Sequence, residues 1–198
     1  MTRGLEGRRI ALAALDEDPA TGTVRNALEQ AGAQLAVLSL GEGTDTDWHG
    51  GKYAALVVTA GAADRPLDAD PRLVQLLREF LASEKPVATL GNALRVLLHA
   101  GGAAGRTVAA TGRLKAIVEA AGGKPGAEPL VVDGGLVTAT GSDVDAFASR
   151  VVEEFSRCLE EHEVDEMSEQ SFPASDPPST IPVSIGHPPP NRDTGPRP

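Results

Sequence analysis

Two hydrophobic patterns alternate along the first 160 residues of the chain. Short apolar runs bounded by turn residues predict buried strands at 10–15, 34–40, 54–59, 86–90, 107–110, 128–132 and 136–140. Apolar residues at helical spacing predict helices at 21–31, 70–81, 93–99, 114–121 and 143–161. The short links between these elements predict an α/β fold. It is a single doubly wound, flavodoxin-like, mostly parallel sheet with helices on both faces.

One stretch of this pattern, residues 85–98, indicates a site. A short apolar strand leads through Gly91 and Asn92 directly into an apolar-periodic helix. Such a sharp bend lies at the carboxyl edge of the sheet, where ligands of α/β proteins bind. Enzymes of several α/β folds place a nucleophile there, because the turn exposes one side chain and aims backbone N–H groups at an oxyanion. Here the tip of the bend is Gly91, which has no nucleophile.

The pattern changes at about residue 162, which divides the chain into a domain at 1–161 and a tail at 162–198. Nine of the fifteen prolines lie between Pro173 and Pro198, and apolar residues become isolated. The tail is acidic and cannot bury enough apolar surface to offset the entropy of ordering, so we expect it to be disordered.

Composition excludes several classes of partner. The net charge of −10 argues against nucleic acid and against an anionic membrane surface, since both require a basic face. No apolar run approaches the length of a membrane span, which predicts a cytoplasmic protein. Aromatic residues make up only 3% of the chain, so the core must consist mainly of Ala, Val and Leu.

Cysteine and metal chemistry receive little support from the sequence. Cys158 is the only thiol, lies in the last predicted helix far from the bend, and is interpreted as a structural or surface cysteine. No metal-ligand spacing and no phosphate-binding glycine loop are present, so we predict neither a metal nor a cofactor.

Several segments resemble the ThiJ/PfpI family, which has the class I glutamine-amidotransferase-like fold. They lie in colinear order within about residues 7–157, at 7–13, 27–33, 55–61, 70–74, 120–123, 130–141 and 145–147. Members of the family usually read Ala-Ile-Cys-His-Gly-Pro at the bend, where this chain reads Thr-Leu-Gly-Asn-Ala-Leu at 89–94. This altered bend, called the elbow below, also resembles the C-terminal domain of large-subunit catalases, which generally lacks the nucleophile.

The resemblance implies a degenerate site at the carboxyl edge. Gly91 stands at the position of the family's cysteine and Asn92 at that of the adjacent histidine. The family's oxyanion loop corresponds to Thr59, Ala60 and Gly61, and its acidic residue to Glu17. The ligand-binding candidates are therefore Glu17, Ala60, Gly61, Gly91 and Asn92. Asn92 is favoured as a turn residue over a ligand contact, and Glu17 as a structural strand-end residue over a general base.

Two functional hypotheses remain open. The first is a non-catalytic pseudoenzyme, related to stress responses, that binds a small molecule or a protein and assembles as a homodimer. The second is a hydrolase, glyoxalase or deglycase that works without cysteine, using Glu17 and water. Loss of turnover in Glu17→Gln would distinguish the second hypothesis from the first.

Overall fold

The computed structural model describes residues 4–14, 18–39, 48–60 and 70–170. The strands are β1 (Arg9–Ala14), β2 (Gln34–Ser39), β3 (Ala55–Thr59), β4 (Val87–Leu90), β5 (Thr107–Ala109), β6 (Lys124–Gly126), β7 (Leu130–Asp133) and β8 (Leu136–Ala139). The helices are α1 (Pro19–Gln30), α2 (Pro71–Ala82), α3 (Leu94–His99), α4 (Leu114–Ala120) and α5 (Val144–Gln170), with short 3-10 turns at Gly50–Lys52 and Gly91–Ala93.

Six strands form the central sheet in the order β2-β1-β3-β4-β8-β7. All neighbouring pairs are parallel except β7 and β8, which form an antiparallel hairpin. Every residue of β3 and β4 is buried, because helices cover both faces of a parallel sheet. The predicted α/β fold with a mostly parallel central sheet is confirmed.

Each face of the sheet carries its own apolar layer. On one face, α1 and α5 contribute buried residues such as Leu28, Phe147 and Phe155. On the other face, α2 and α3 contribute residues such as Phe80 and Leu97. Most of the remaining core side chains are Ala, Val and Leu, as the composition predicts.

The first two helices begin in the same way. Asp18 Oδ1 accepts a hydrogen bond of 2.7 Å from the Thr21 N–H, and Asp70 Oδ1 accepts one of 2.9 Å from the Arg72 N–H. Each aspartate is followed by proline at the first helical position, where no N–H is needed. These caps fix the first turns of α1 and α2.

The structure adds a second, two-stranded parallel sheet of β5 and β6, which the sequence did not predict. The segment Lys124–Gly126 has no apolar run that would indicate a strand. Strand β5 joins the main sheet through side chains: the Thr107 N–H donates to Asp133 Oδ2 at 2.6 Å, and the Ala109 N–H donates to Thr138 Oγ1 at 2.8 Å.

The last helix is longer than predicted. Helix α5 continues to Gln170, so residues 162–170 of the predicted disordered tail are helical. This run is rich in Glu and contains no Pro or Gly, which permits the helix to continue. The rest of that tail, 171–198, lies outside the described residues, and the domain boundary at 161 stays a prediction. No helix among the described residues is long and apolar enough to cross a membrane.

The turn after α2 has a left-handed residue that is not glycine. Glu84 has φ +53°, and the Lys85 N–H donates to Phe80 O at 3.0 Å, which is the Schellman pattern at a helix end. An L side chain at such a φ costs about 1–2 kcal/mol. We therefore expect Glu84→Gly to raise the free energy of unfolding by roughly 0.5–1 kcal/mol, measured by urea denaturation.

The neighbouring residue supplies the control for this prediction. Ser83 is also exposed, but its φ is −94°, which an L residue adopts without strain. Ser83→Gly should therefore lower the free energy of unfolding by about 0.4–1 kcal/mol, because glycine only adds freedom to the unfolded chain. Equal effects of the two substitutions would show that φ at residue 84 stores no strain.

Candidate functional site

The elbow connects β4 to α3 without spare residues. Strand β4 ends at Leu90, Gly91 has φ +63°, and the 3-10 turn Gly91–Ala93 leads directly into α3. Leu90, Ala93 and Leu94 are buried and fix both sides of the bend in the core. A left-handed residue between a strand and a helix is the backbone geometry of a nucleophile elbow. The predicted sequence of strand, bend and helix is therefore present.

Two neighbouring strand ends face the tip of the elbow. A Cβ atom on Gly91 would lie 3.8 Å from the carbonyl oxygen of Ala60 and 4.0 Å from that of Thr140. These are ordinary van der Waals distances, so the described residues leave room for a Cβ atom, although the positive φ would strain an L residue here. Ala60 follows β3 and Thr140 follows β8, the two strands that pair with β4. The structure therefore brings the predicted residues Ala60 and Gly91 together.

Sequence reasoning did not include Thr140 and Gly141 in the site. A Cβ on Gly141 would lie 3.8 Å from the Cα of Gly91, so the two glycines approach each other closely. The apolar run that predicts β8 could have indicated these two residues, because they follow β8 and the carboxyl end of a parallel strand lies at the same edge of the sheet as that of β4. Nothing in the sequence alone indicated that β8 pairs with β4.

Asn92 lies at the start of the helical segment after the tip. It is exposed, and its φ is not in the left-handed region, which Gly91 occupies instead. Asn92 is instead the second residue of the 3-10 turn Gly91–Ala93, and a contact between its amide and a ligand stays a prediction.

Two of the predicted site residues, Glu17 and Gly61, lie outside the described residues. Their chain neighbours Asp18 and Ala60 lie at the carboxyl edge, where α1 begins and β3 ends. The roles of Glu17 and Gly61 stay predictions.

Buried hydroxyl groups lie at and below this edge. Thr59 at the end of β3 and Thr21 in the first turn of α1 are each 1% exposed, and their Oγ1 atoms are 2.8 Å apart, at hydrogen-bond distance. This contact joins α1 to the strand end next to the elbow. Thr89, two residues before the tip, is also 1% exposed, but its Oγ1 has no hydrogen-bond partner among the described residues. The hydrogen-bonded hydroxyls of Thr21 and Thr59 therefore stabilise the folded state, whereas the buried, unpaired hydroxyl of Thr89 destabilises it.

Cys158 lies at the other edge of the sheet. Its Sγ would be 3.4 Å from a Cβ on Gly135, which precedes β8, whereas the elbow faces the residue after β8. Burial, followed by the nearby charge of Glu154, raises the pKa of the Cys158 thiol above its ordinary value. A raised pKa leaves little thiolate at neutral pH, so Cys158 is unsuited to nucleophilic chemistry and does not replace a cysteine at the elbow.

The fold and the elbow define a class of protein: doubly wound α/β proteins with a left-handed bend between a central strand and the next helix. Comparison of the sequence with protein families narrows this class. Residues 17–154 match the model of the DJ-1/PfpI family. The chain belongs to this family, which confirms the resemblance found in the sequence.

Individual relatives support the same assignment. An uncharacterized protein of Archaeoglobus fulgidus is 30% identical over 86 residues, which are 43% of this chain and 51% of that protein. The match therefore spans about half the length of this curated relative.

Solved structures share the fold. The crystal structure of a ThiJ/PfpI domain protein from Brachyspira murdochii has a TM-score of 0.66 and 23% identity, covering 77% of this chain and 98% of that one. A two-domain protein from Anabaena variabilis, with a DJ-1/ThiJ/PfpI-like and a ferritin-like domain, also has a TM-score of 0.66, with 21% identity. This similarity covers 74% of the present chain and 47% of that protein.

The two buried threonines yield a paired prediction. Thr59→Val leaves the buried hydroxyl of Thr21 without a partner, so we expect it to lower the free energy of unfolding by about 1–3 kcal/mol. Thr89→Val removes a hydroxyl that has no partner, so its effect should be close to zero or stabilising by up to about 1 kcal/mol.

Urea denaturation of these two variants, of Thr21→Val and of the Thr21→Val/Thr59→Val double variant measures the difference. The double variant should lose less stability than the sum of the losses in Thr21→Val and Thr59→Val, because it leaves neither of these hydroxyls unpaired. Equal destabilisation by Thr59→Val and Thr89→Val would contradict the assigned partners.

Proposed function

We propose that this chain is a non-catalytic member of the DJ-1/PfpI family that binds a small molecule noncovalently at the elbow. The observation that carries the proposal is Gly91, which has the left-handed φ of the elbow but no side chain that could attack a substrate. A covalent thiol mechanism requires a nucleophile at this point, and the only thiol of the chain lies at the opposite edge of the sheet.

The polar groups around the tip support binding of a small polar molecule. The carbonyl oxygens of Ala60 and Thr140 accept hydrogen bonds, and the amide of Asn92 both donates and accepts them. The position next to Gly91 has room for at least a side-chain atom. A molecule that carries N–H or O–H groups fits these acceptors. The proposal includes assembly as a homodimer, which light scattering of the purified protein tests.

Turnover assays test the absence of catalysis. We expect no conversion of methylglyoxal or of peptide substrates by the natural chain, and no effect of thiol alkylation on ligand binding. Turnover that persists in Cys158→Ser and disappears in Glu17→Gln, with the fold intact, would instead support the cysteine-independent enzyme.

Gly91→Cys, made in a Cys158→Ser background, tests whether the elbow geometry is preserved. A thiol at the tip would lie at the start of the helical segment 91–99, whose first backbone N–H groups have no partner within the helix, which favours thiolate and lowers the pKa. We expect iodoacetamide to alkylate it at pH 7 about tenfold faster than the Cys158 thiol of the natural chain, since a lower pKa means more thiolate. The rate should level off at a lower pH than the rate of Cys158, whose pKa is raised.

The same variant unfolded in urea serves as the control. Its thiol then has the reactivity of an ordinary cysteine in a flexible chain. Identical alkylation rates in the folded and unfolded states would show that the elbow does not activate a thiol, and would remove the support for a preserved site.

A further inference from the structure

A cleft of about 620 Å³ lies at the amino edge of the sheet, opposite the elbow. It is lined by the residues that precede the strands, among them Ala54, Pro86 and Gly135, and by the C-terminal parts of α2 and α5. Its volume is within the range of sites for small organic ligands. Because strands β4 and β8 separate it from the elbow, it is a different site from the one proposed above.

The cleft is basic although the chain is acidic. Among the described residues, four basic and two acidic side chains line it, whereas the whole chain has a net charge of −10. One basic residue, Arg157, is neutralised by Glu154 and Glu161, both within ion-pair distance. The excess of positive charge must therefore come from other lining residues.

Arg8, Lys85 and Arg106 are the other basic residues of the lining, and Glu84 is its second acidic residue. The ammonium group of Lys85 donates to the carbonyl oxygens of Gly50 and Tyr53, each at 2.9 Å, which uses two of its three hydrogens. The guanidinium of Arg106 makes one long contact of 3.5 Å, with the carbonyl oxygen of Gly134. Neither cation has a carboxylate partner within the described part of the chain. Both are half-buried, where an uncompensated positive charge favours an anion.

The remaining lining is apolar. Ala54 and Leu81, which are both half-buried, form its accessible part. Val87, Leu136 and Leu159 also line the cleft, but their exposed fractions of 1%, 1% and 8% leave little surface for a ligand. A ligand that fits this cleft needs an apolar body in addition to a negative group.

The hairpin side of the cleft is formed where α5 packs against the turn that precedes β8. Cys158 Sγ would lie 3.4 Å from a Cβ on Gly135 in this turn. Glu154 of α5 is 4% exposed, and Arg157 holds the pKa of Glu154 below its ordinary value. This ion pair occupies Arg157 and does not involve Lys85 or Arg106.

We propose that the cleft binds an organic acid, meaning a carboxylate, sulfonate or phosphate group on an apolar body. The negative group lies next to the guanidinium of Arg106, and the apolar body packs against Ala54 and Leu81. Binding at this edge leaves the elbow open.

The test uses 8-anilinonaphthalene-1-sulfonate as the probe, with fluorescence titration of the full chain. We expect Arg106→Gln to weaken binding by about tenfold or more, because it removes a charge-assisted hydrogen bond. Arg78→Gln is the matched control. Arg78 is exposed on α2, does not line the cleft, and has a similar long contact of 3.4 Å with the carbonyl oxygen of His99. It should leave the affinity unchanged.

Two further measurements identify the place and the chemistry of binding. Cys158 lines the cleft, so the sulfonate should slow its alkylation by a maleimide at pH 9. N-phenyl-1-naphthylamine, which lacks the sulfonate, should bind at least about tenfold more weakly if the anion interacts with Arg106. Inorganic phosphate should compete with the sulfonate only at much higher concentration, because it lacks the apolar body.

The opposite results would overturn the proposal. If N-phenyl-1-naphthylamine bound as tightly as the sulfonate, the cleft would be an apolar groove that does not recognise an anion. If Arg78→Gln weakened binding as much as Arg106→Gln, the probe would respond to the overall charge of the protein and not to the cleft. Unchanged alkylation of Cys158 at saturating sulfonate would place the probe elsewhere. Each result concerns the amino edge alone, so the proposed function at the elbow does not depend on it.

Discussion

The left-handed backbone at residue 91 is the constraint on which the architecture of the carboxyl edge depends. Strand β4 lies between β3 and β8, so the chain that leaves it must turn at once to reach the helical layer. The φ of +63° at Gly91 makes this turn within one residue, and Ala93 and Leu94 are then already in the core. Glycine adopts such a φ at little cost. The same turn keeps the ends of the neighbouring strands next to the tip of the bend.

The two edges of the sheet present different chemistry on the same rigid strands. The carboxyl edge offers carbonyl oxygens and a neutral amide at Ala60, Thr140 and Asn92, whereas the amino edge offers the cations of Lys85 and Arg106. Strand β8 contacts both edges, and its four residues separate them by roughly 13 Å. A ligand at one edge therefore leaves the groups at the other edge accessible.

Much of the fold was predictable because the central strands are buried on both faces. Continuous apolar runs such as the one that forms β3 predict such strands directly. Strand β6 contains Lys, Pro and Gly and forms only through pairing with β5, which no local pattern reveals. The elbow was predictable because its strand, glycine and helix are contiguous. The amino-edge cleft was not, since its residues come from segments that are distant along the chain.

The space around residue 91 distinguishes two reasons for a glycine at this position, close packing and a positive φ. Other glycines are required by close packing: a Cβ on Gly102 would lie 2.5 Å from Leu97, and one on Gly123 would lie 2.7 Å from the Ala103 carbonyl oxygen. At residue 91 the nearest atom of the described residues, apart from its own chain neighbours, is 3.8 Å away, so packing against them does not require glycine. Only the positive φ favours glycine here, because an L residue at such a φ costs about 1–2 kcal/mol. The greater conformational freedom of glycine in the unfolded chain offsets about 0.4–1 kcal/mol of this advantage. An elbow that holds a nucleophile must carry this strain, and an elbow that only binds a ligand has no reason to retain it.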